Sequence, residues 1–407
     1  MRILLWAGAG EPTGAGVITD NLALRWAGAG HEVHVLVLGS RYRGDDHREG
    51  SLRLYRGAAH PQDPWGMARL PQLLRDTEPD AWLVLQDPPV VARALQTLGG
   101  RFPTPTVLYA PRRGSASPAG VVPPPPPGSP HRRHVALCPW RGARRSGYRR
   151  RRPGVDPELL YRQSARRPVF VDEAPGRRSL VSPAACKAVL GLSGRFVVVD
   201  LNRNTPWKNH PDTIRVFDAF RRRHPDAFLF VHASRHDEGG DLAMLLERLG
   251  LLPDFARISP LNDPWTGLPP PALSLLYNAA DVKLTTSYGE SFGLTDAEAL
   301  AVGIPVVGPD FGATPEVAGP GAVLVPTTRP ITTPAMVEGE QVDLDQAVEA
   351  LEQLYSNAAL RRRLGREGMR HVKQFTWDVT ANRLLALLTE AARSGVSAAP
   401  DLGPQRH

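Results

Sequence analysis

Short apolar runs rich in β-branched residues alternate along this chain with segments of helical spacing, and glycine, proline and polar residues separate them. The first run is Arg2-Ile3-Leu4-Leu5-Trp6, followed by a loop over Ala7–Gly16 and a helix over Val17–Ala29 that Gly28 and Gly30 close. Glu32–Leu38 is a second apolar strand. Strand-like runs recur at Leu52–Tyr55, Ala81–Leu85, Thr104–Tyr109 and His134–Cys138, with a helical stretch at Val90–Leu98. This alternation predicts a doubly wound parallel sheet.

The rhythm then lapses. Ser115–Pro130 is proline, glycine and serine, a loop outside any packed core. Residues 162–190 are polar, rich in arginine and proline and then weakly helical, a linker into a second domain. That domain opens with a buried strand at Gly194–Asp200 and continues through a helix around Asp212–Arg222, a strand at Ala227–Ala233, a helix at Asp241–Leu249 and a short strand at Ala256–Ser259. After a helix at Ala272–Ala280, Asp281–Thr286 reads as a strand, Ser287–Leu294 as a glycine-punctuated loop, and Ala297–Val302 as a helix stopped by Gly303 and Pro305. Val306-Val307 is the next strand, and Gly312–Glu316 starts another helix with Glu316 as its N-terminal acid. Asp345–Gly368 is a long helical region, and Phe375-Thr376-Trp377 leads into a helix at Val379–Ala392, with a disordered tail after it. The domains expected are 1–175, 176–375 and a terminal helix with tail over 376–407.

Length and composition agree with two cored domains: 407 residues, 42% apolar and 22% charged, describe an ordinary soluble globular chain. Met1–Trp6 imitates the start of a signal peptide, but Glu11-Pro12-Thr13-Gly14 interrupts it, so it reads as a buried strand. No apolar run approaches the ~20 residues needed to cross a bilayer. Cys138 and Cys186 stand alone and far apart, which fits a reducing cytoplasm and neither a disulfide framework nor a zinc site. The net charge of +8 is almost entirely arginine, because only Lys187, Lys208, Lys283 and Lys373 are lysine. With proline and alanine also abundant, the bias follows base composition. It discounts arginine clusters and makes each lysine more informative. Arginines 132, 133, 141, 144, 145 and 149 to 152 have three readings: a solvated face, a peripheral contact with an anionic membrane, or a nucleic-acid contact. No stacking aromatics accompany them, which counts against nucleic acid.

The chemistry concentrates in Ser287–Ala299. A loop at the carboxyl end of a strand, leading into a helix N-terminus, suits an anion. Glu290 lies in that loop and Glu298 inside the helix, too far apart to pair on one face. They suit the two ends of a ligand with hydroxyls at each extremity and phosphate between, a nucleotide sugar. Thr295-x-x-Glu298 is also a capping box that needs no ligand. Arg203 and Lys208 are five apart in the loop after the Gly194–Asp200 strand, where two cations converge on one diphosphate. In so arginine-rich a chain, Arg203 also reads as a surface residue. Gly14-Ala15-Gly16 fails the dinucleotide fingerprint because Thr19 stands where its third glycine belongs. Those glycines let the backbone approach a ligand, or form an unliganded turn. Asp343-Leu344-Asp345 has D-x-D spacing but sits at a helix start, so no metal site is assigned.

Gly289-Glu290-Ser291-Phe292-Gly293-Leu294-Thr295-Asp296-Ala297-Glu298, continued through Gly303-Ile304-Pro305-Val306-Val307, resembles the donor signature of the retaining family-4 glycosyltransferases. Arg203 to Lys208 is similar to that family's R-x4-K element, Gly30-His31-Glu32-Val33 to its first-domain G-H-E-V, and Gly154-Val155-Asp156 to its G-V-D, although Pro153 stands where a histidine usually does. The resemblance implies GT-B architecture: two Rossmann-like domains facing each other across a cleft, with the last helix crossing back to the first. It implies that Arg203 and Lys208 bind the leaving diphosphate, Glu290 the transferred sugar and Glu298 the ribose. It implies sugar or phosphate contacts from the Ser291, Phe292, Gly293 and Leu294 backbone, and a place near donor phosphate and acceptor for Gly14 and Gly16. A UDP- or GDP-sugar is then a substrate and no cofactor is needed. The acceptor (glycan, lipid or small molecule) is open, and the enzyme is cytoplasmic or membrane-peripheral. The family's histidine after the Thr104–Tyr109 strand is missing, and Ala110-Pro111-Arg112-Arg113-Gly114 replaces it. No acceptor-side base is assigned, and Arg112 or Arg113 suits an acceptor bearing negative charge. A sugar epimerase, a phosphorylase, or a silent nucleotide-sugar-binding protein on the same fold are the competing readings.

Overall fold

The computed structural model describes residues 1–8, 14–38, 46–57, 63, 65–86, 88–100, 102–109, 169–174, 177–260, 268, 270–333 and 338–394. Readings that fall on Glu11 to Thr13, Ala110–Gly114, Ser115–Pro130, the 132–152 arginines, His134–Cys138, Pro153–Asp156 and the tail after Ser394 lie outside these residues. The described chain divides into two units, one of residues 1–109 with 377–394 and one of residues 169–376.

In the first unit, β1 (Arg2–Gly8), α1 (Gly14–Gly28), β2 (Glu32–Leu38), β3 (His47–Glu49), β4 (Leu52–Arg56), α2 (Leu70–Thr77), β5 (Ala81–Leu85), α3 (Pro88–Thr97) and β6 (Thr106–Tyr109) follow in order. The sheet order is β3-β4-β2-β1-β5-β6, parallel except for the β3–β4 edge pair. β1 and β5 are apolar almost throughout because helices cover a central parallel strand on both faces. The first loop is shorter than expected. β1 runs on to Gly8 and Gly14 already begins α1, so Gly14 and Gly16 form a first helical turn instead of a loop.

In the second unit, β7 (Val169–Ala174) and β8 (Arg177–Val181) form an antiparallel hairpin where a polar linker was expected. The strand formers Val169-Phe170-Val171 carry it, disguised by the arginines and prolines around them. There follow α4 (Pro183–Val189), β9 (Phe196–Asp200), α5 (His210–Arg221), β10 (Ala227–Val231), the two-residue strands β11 (His236–Asp237) and β12 (Gly240–Asp241), α6 (Leu242–Arg248) and β13 (Ala256–Ile258). Then come α7 (Pro270–Ala279), β14 (Val282–Leu284), α8 (Leu294–Ala301), β15 (Val306–Pro309), α9 (Thr314–Ala318), β16 (Ala322–Val325), the hairpin β17 (Thr327–Thr332) and β18 (Glu338–Val342), α10 (Leu344–Ser356) and α11 (Ala358–His371). The long helical region is thus two helices, broken at Asn357, whose side chain caps the second by accepting from the Leu360 amide. The sheet order β13-β10-β9-β14-β15-β16 is parallel throughout and reverses direction between β9 and β14.

The terminal helix α12 (Trp377–Ser394) belongs to the first unit, as the expectation of a returning helix required. Ala381, Leu384, Leu388 and Ala391 join the core of β1, β2 and β5, the Trp26 indole donates to the Ala381 carbonyl at 3.0 Å, and Arg25 meets Asp378 at 2.7 Å. Among the described residues no helix is long and apolar enough to cross a membrane.

Candidate functional site

A sheet that changes direction leaves a crevice at the carboxyl ends of the two strands flanking the change, because their following loops diverge. In the second unit these strands are β9 and β14. The loop after β9 carries Arg203 and Lys208, and the loop after β14 carries Glu290 and leads into α8, which carries Glu298.

Lys208 and Glu290 meet. The ammonium donates to both carboxylate oxygens, at 2.6 and 2.8 Å, with side-chain exposures of 21% and 8%. Two backbone devices set this contact. Asn209 takes a left-handed conformation (φ 51°), and its side-chain amide donates to Asp212 at 2.8 Å and to the Thr286 carbonyl at 3.2 Å, tying one loop to the other. Gly312 (φ 66°) lies so near Glu290 that a Cβ there would sit 2.9 Å from the Glu290 amide nitrogen and 3.0 Å from its carbonyl oxygen. Only glycine fits. The β17–β18 hairpin, which sequence reading passed over, braces the same loop, since the Glu340 amide donates to the Tyr288 carbonyl at 2.8 Å.

Arg203 is held differently. Its guanidinium forks onto Asp237 at 2.8 and 3.1 Å and also reaches Glu238 at 2.9 Å. Burial opposes its charge, and these acids outweigh it and raise its pKa. The structure therefore brings Lys208 onto Glu290 and gives Arg203 acidic partners of its own.

Glu298 lies on α8, and its partner is the Tyr277 hydroxyl, which donates to Oε2 at 2.7 Å. Burial pushes the Glu298 carboxyl up to about 7, although the Tyr277 hydrogen bond pulls the other way. The capping-box reading does not hold. Gly293, in the left-handed region at φ 84°, is the N-cap, and Thr295 is already helical. Ser291, Phe292 and Gly293 precede the helix as expected, and Leu294 is its first residue. Phe292 is buried, with its ring edge-on to Phe375 at 5.7 Å, so its side chain packs inside the second unit and does not line an open site. Asp343 caps α10 by accepting from the Asp345 and Gln346 amides, and Glu316 lies in the first turn of α9. Gly14 and Gly16 lie in the first unit, after β1.

Sequence reading missed the groups beneath the site. Lys283, on β14, is fully buried and forms a short ion pair with Asp296 of α8. Asp200, at the end of β9, lies 2.8 Å from His210 and accepts from Asn202 at 2.7 Å. A charged residue inside a three-residue central strand was the available signal for Lys283. Its partner, thirteen residues on, had none.

Residues 265–371 match the family model of the glycosyl transferases group 1, a stretch that holds Glu290, Glu298 and all of α8. A D-inositol 3-phosphate glycosyltransferase of Segniliparus rotundus is 31% identical over 224 residues, 53% of this chain and 44% of the relative. One of Salinispora arenicola is 34% identical over 224 residues, 54% of this chain and 46% of the relative. The chain spans about half the length of the curated relatives it matches. Among solved structures, sucrose-phosphate synthase from Thermosynechococcus elongatus superposes with a TM-score of 0.69 at 17% identity, covering 97% of this chain and 100% of that one. That likeness is one of fold, and the fold is GT-B. The resemblance read from Glu290 to Glu298 is borne out at the level of the family model and of the architecture.

Proposed function

We propose that this protein is a glycosyltransferase that moves a sugar from a UDP- or GDP-sugar to an acceptor hydroxyl, with retention of configuration and without a metal. The observation that carries the reading is the Lys208–Glu290 ion pair at the point where the second sheet reverses, beside the start of α8.

An ammonium has three N–H donors, and Glu290 engages Lys208 through its two oxygens, which leaves a third donor for a diphosphate oxygen. The first-turn amides and dipole of α8 add a second positive end. As the bond from the anomeric carbon to the diphosphate breaks, charge grows on the departing oxygens. Fixed donors in place beforehand stabilise that charge without reorganising. The acceptor oxygen bonds to the same face of the sugar, and its proton passes to the departing phosphate. Glu290 holds Lys208 at one end and accepts from sugar hydroxyls, and Glu298, with Oε2 on Tyr277, offers Oε1 to the ribose. Arg203 supports the phosphate from the neighbouring loop by sharing donors now on Asp237 and Glu238. The curated relatives' name makes a phosphorylated cyclitol the acceptor class to try first.

The test is release of nucleotide diphosphate from a panel of UDP- and GDP-sugars, with and without chelator and phosphorylated acceptors, and proton NMR of the product anomer. The expected result is chelator-insensitive release, stimulated by an acceptor, with an anomer matching the donor's. A changed sugar still attached to its nucleotide makes the protein an epimerase, strict phosphate dependence makes it a phosphorylase, and donor binding without turnover makes it silent. Each overturns the proposal.

A further inference from the structure

Lysine is scarce here, and Lys283 occupies a costly place for one: 0% exposed, in the strand at the sheet's reversal. Two acids meet it. Asp296, 1% exposed, is the third residue of α8 and holds the ammonium through Oδ1. Asp200, fully buried at the end of β9, directly follows Val199, the register partner of Lys283, and its negative charge favours the ammonium. Asn202, which donates to Asp200 at 2.7 Å, accepts from Thr295 in the first turn of α8 at 3.4 Å. Asp200 is itself 2.8 Å from His210, whose Nε2 lies 3.2 and 3.3 Å from the Asn202 and Arg203 carbonyls. Each acid anchors one of the two loops of the candidate site. α8 has no capping side chain of its own, because Gly293 is its N-cap. Asp296 also fills the space that a side chain at 293 would need: a Cβ there would stand 2.6 Å from Asp296 Oδ2.

We infer that Lys283 is a positioning residue for donor binding and transfer, a buried cation shared by Asp200 and Asp296 that locks the Lys208 loop to the first turn of α8. It touches no substrate. It acts by fixing where Lys208, Glu290 and Glu298 stand relative to one another. This inference rests on the function proposed above, and its test includes a readout that does not.

Removing one member of a buried pair strands the other charge, whereas replacing both with apolar residues of similar size often leaves a fold as stable as before. Asp200 keeps His210 and Asn202 as partners when Lys283 and Asp296 are both replaced. The variant is therefore Lys283→Met with Asp296→Leu, compared with wild type by thermal unfolding, nucleotide diphosphate release and amide hydrogen exchange. The expected outcome is a cooperative unfolding transition close to that of wild type and a kcat lowered about 10²-fold, the scale of a misplacement near 1 Å. Amide exchange should rise at least about tenfold in both 202–210 and 287–298. Unchanged exchange in either segment, or wild-type turnover despite faster exchange, overturns the inference. If wild type releases nucleotide from no donor, the proposed function fails, and the exchange comparison still judges the lock. Should the double variant not fold, Asp296→Asn, which keeps size and loses charge, is read by the same exchange criterion.

Discussion

Replacing Lys208 with alanine separates a structural ion pair from a donor site. The side chain makes two charge-assisted contacts with Glu290, at 2.6 and 2.8 Å. With exposures of 21% and 8%, the pair lies between the surface limit of about 0–1 kcal/mol and the buried limit of about 3–5 kcal/mol for loss of one partner. A stability loss of about 1–3 kcal/mol is expected, a few degrees in melting temperature for a unit of this size. The effect on rate is larger. Losing one donor to the developing phosphate charge costs roughly 10²–10³ in kcat, more than partial unfolding of a stable variant removes. Adding Glu290→Gln relieves the stranded carboxylate and recovers part of the stability without recovering the rate. The assay is nucleotide diphosphate release at saturating donor, beside a thermal melt of each variant. A folded Lys208→Ala protein with near wild-type kcat would show that Lys208 does not stabilise the departing phosphate.

Other predictions follow from single contacts. The Glu298 carboxyl is raised from 4.5 to about 7 in the folded protein, so its contribution to stability is present below about pH 4.5 and is lost as pH rises through 7. Glu298→Gln should flatten that part of a stability–pH profile. If the ionised form accepts from the ribose, donor KM falls as pH rises past 7 in wild type and not in that variant. Tyr277→Phe removes the hydrogen bond that holds Glu298 down, and should move the same KM transition to higher pH, read from initial rates at a series of pH values. Gly312→Ala forces a left-handed alanine against the Glu290 backbone, and should cost about 1–3 kcal/mol in a chemical denaturation curve and at least tenfold in kcat. Leu388→Ala, in the core that α12 completes, should destabilise the first unit by about 2–5 kcal/mol and leave the nucleotide affinity of the folded fraction unchanged by calorimetry.

Elements with a strong period were legible in the sequence. Ala81–Leu85 agrees to the residue, and β9, β10 and α5 to within two, because buried parallel strands and amphipathic helices announce themselves in runs of five or more residues. The β17–β18 hairpin escaped because Thr-Thr-Arg-Pro-Ile-Thr mixes strand formers with a proline that an edge pair tolerates. The site was legible where backbone chemistry is local, as with the glycines around Glu290. It was not legible where partners come from different elements: Asp237 and Glu238 on Arg203, Tyr277 on Glu298 and Asp296 on Lys283 are pairings that only the folded sheet creates. The capping box at Thr295 shows the opposite failure, a local motif that the left-handed Gly293 displaced by starting the helix two residues earlier.

In the proposed function the second unit grips a nucleotide diphosphate sugar through Lys208, Glu290 and the start of α8. Calorimetric titration of wild type, Lys208→Ala and Glu298→Gln with UDP- and GDP-sugars measures that grip without requiring the acceptor. Saturable binding of one donor by wild type, weakened at least tenfold in each variant while both remain folded, is the predicted result. Equal affinity in all three proteins, or no binding of any donor by wild type, would contradict it.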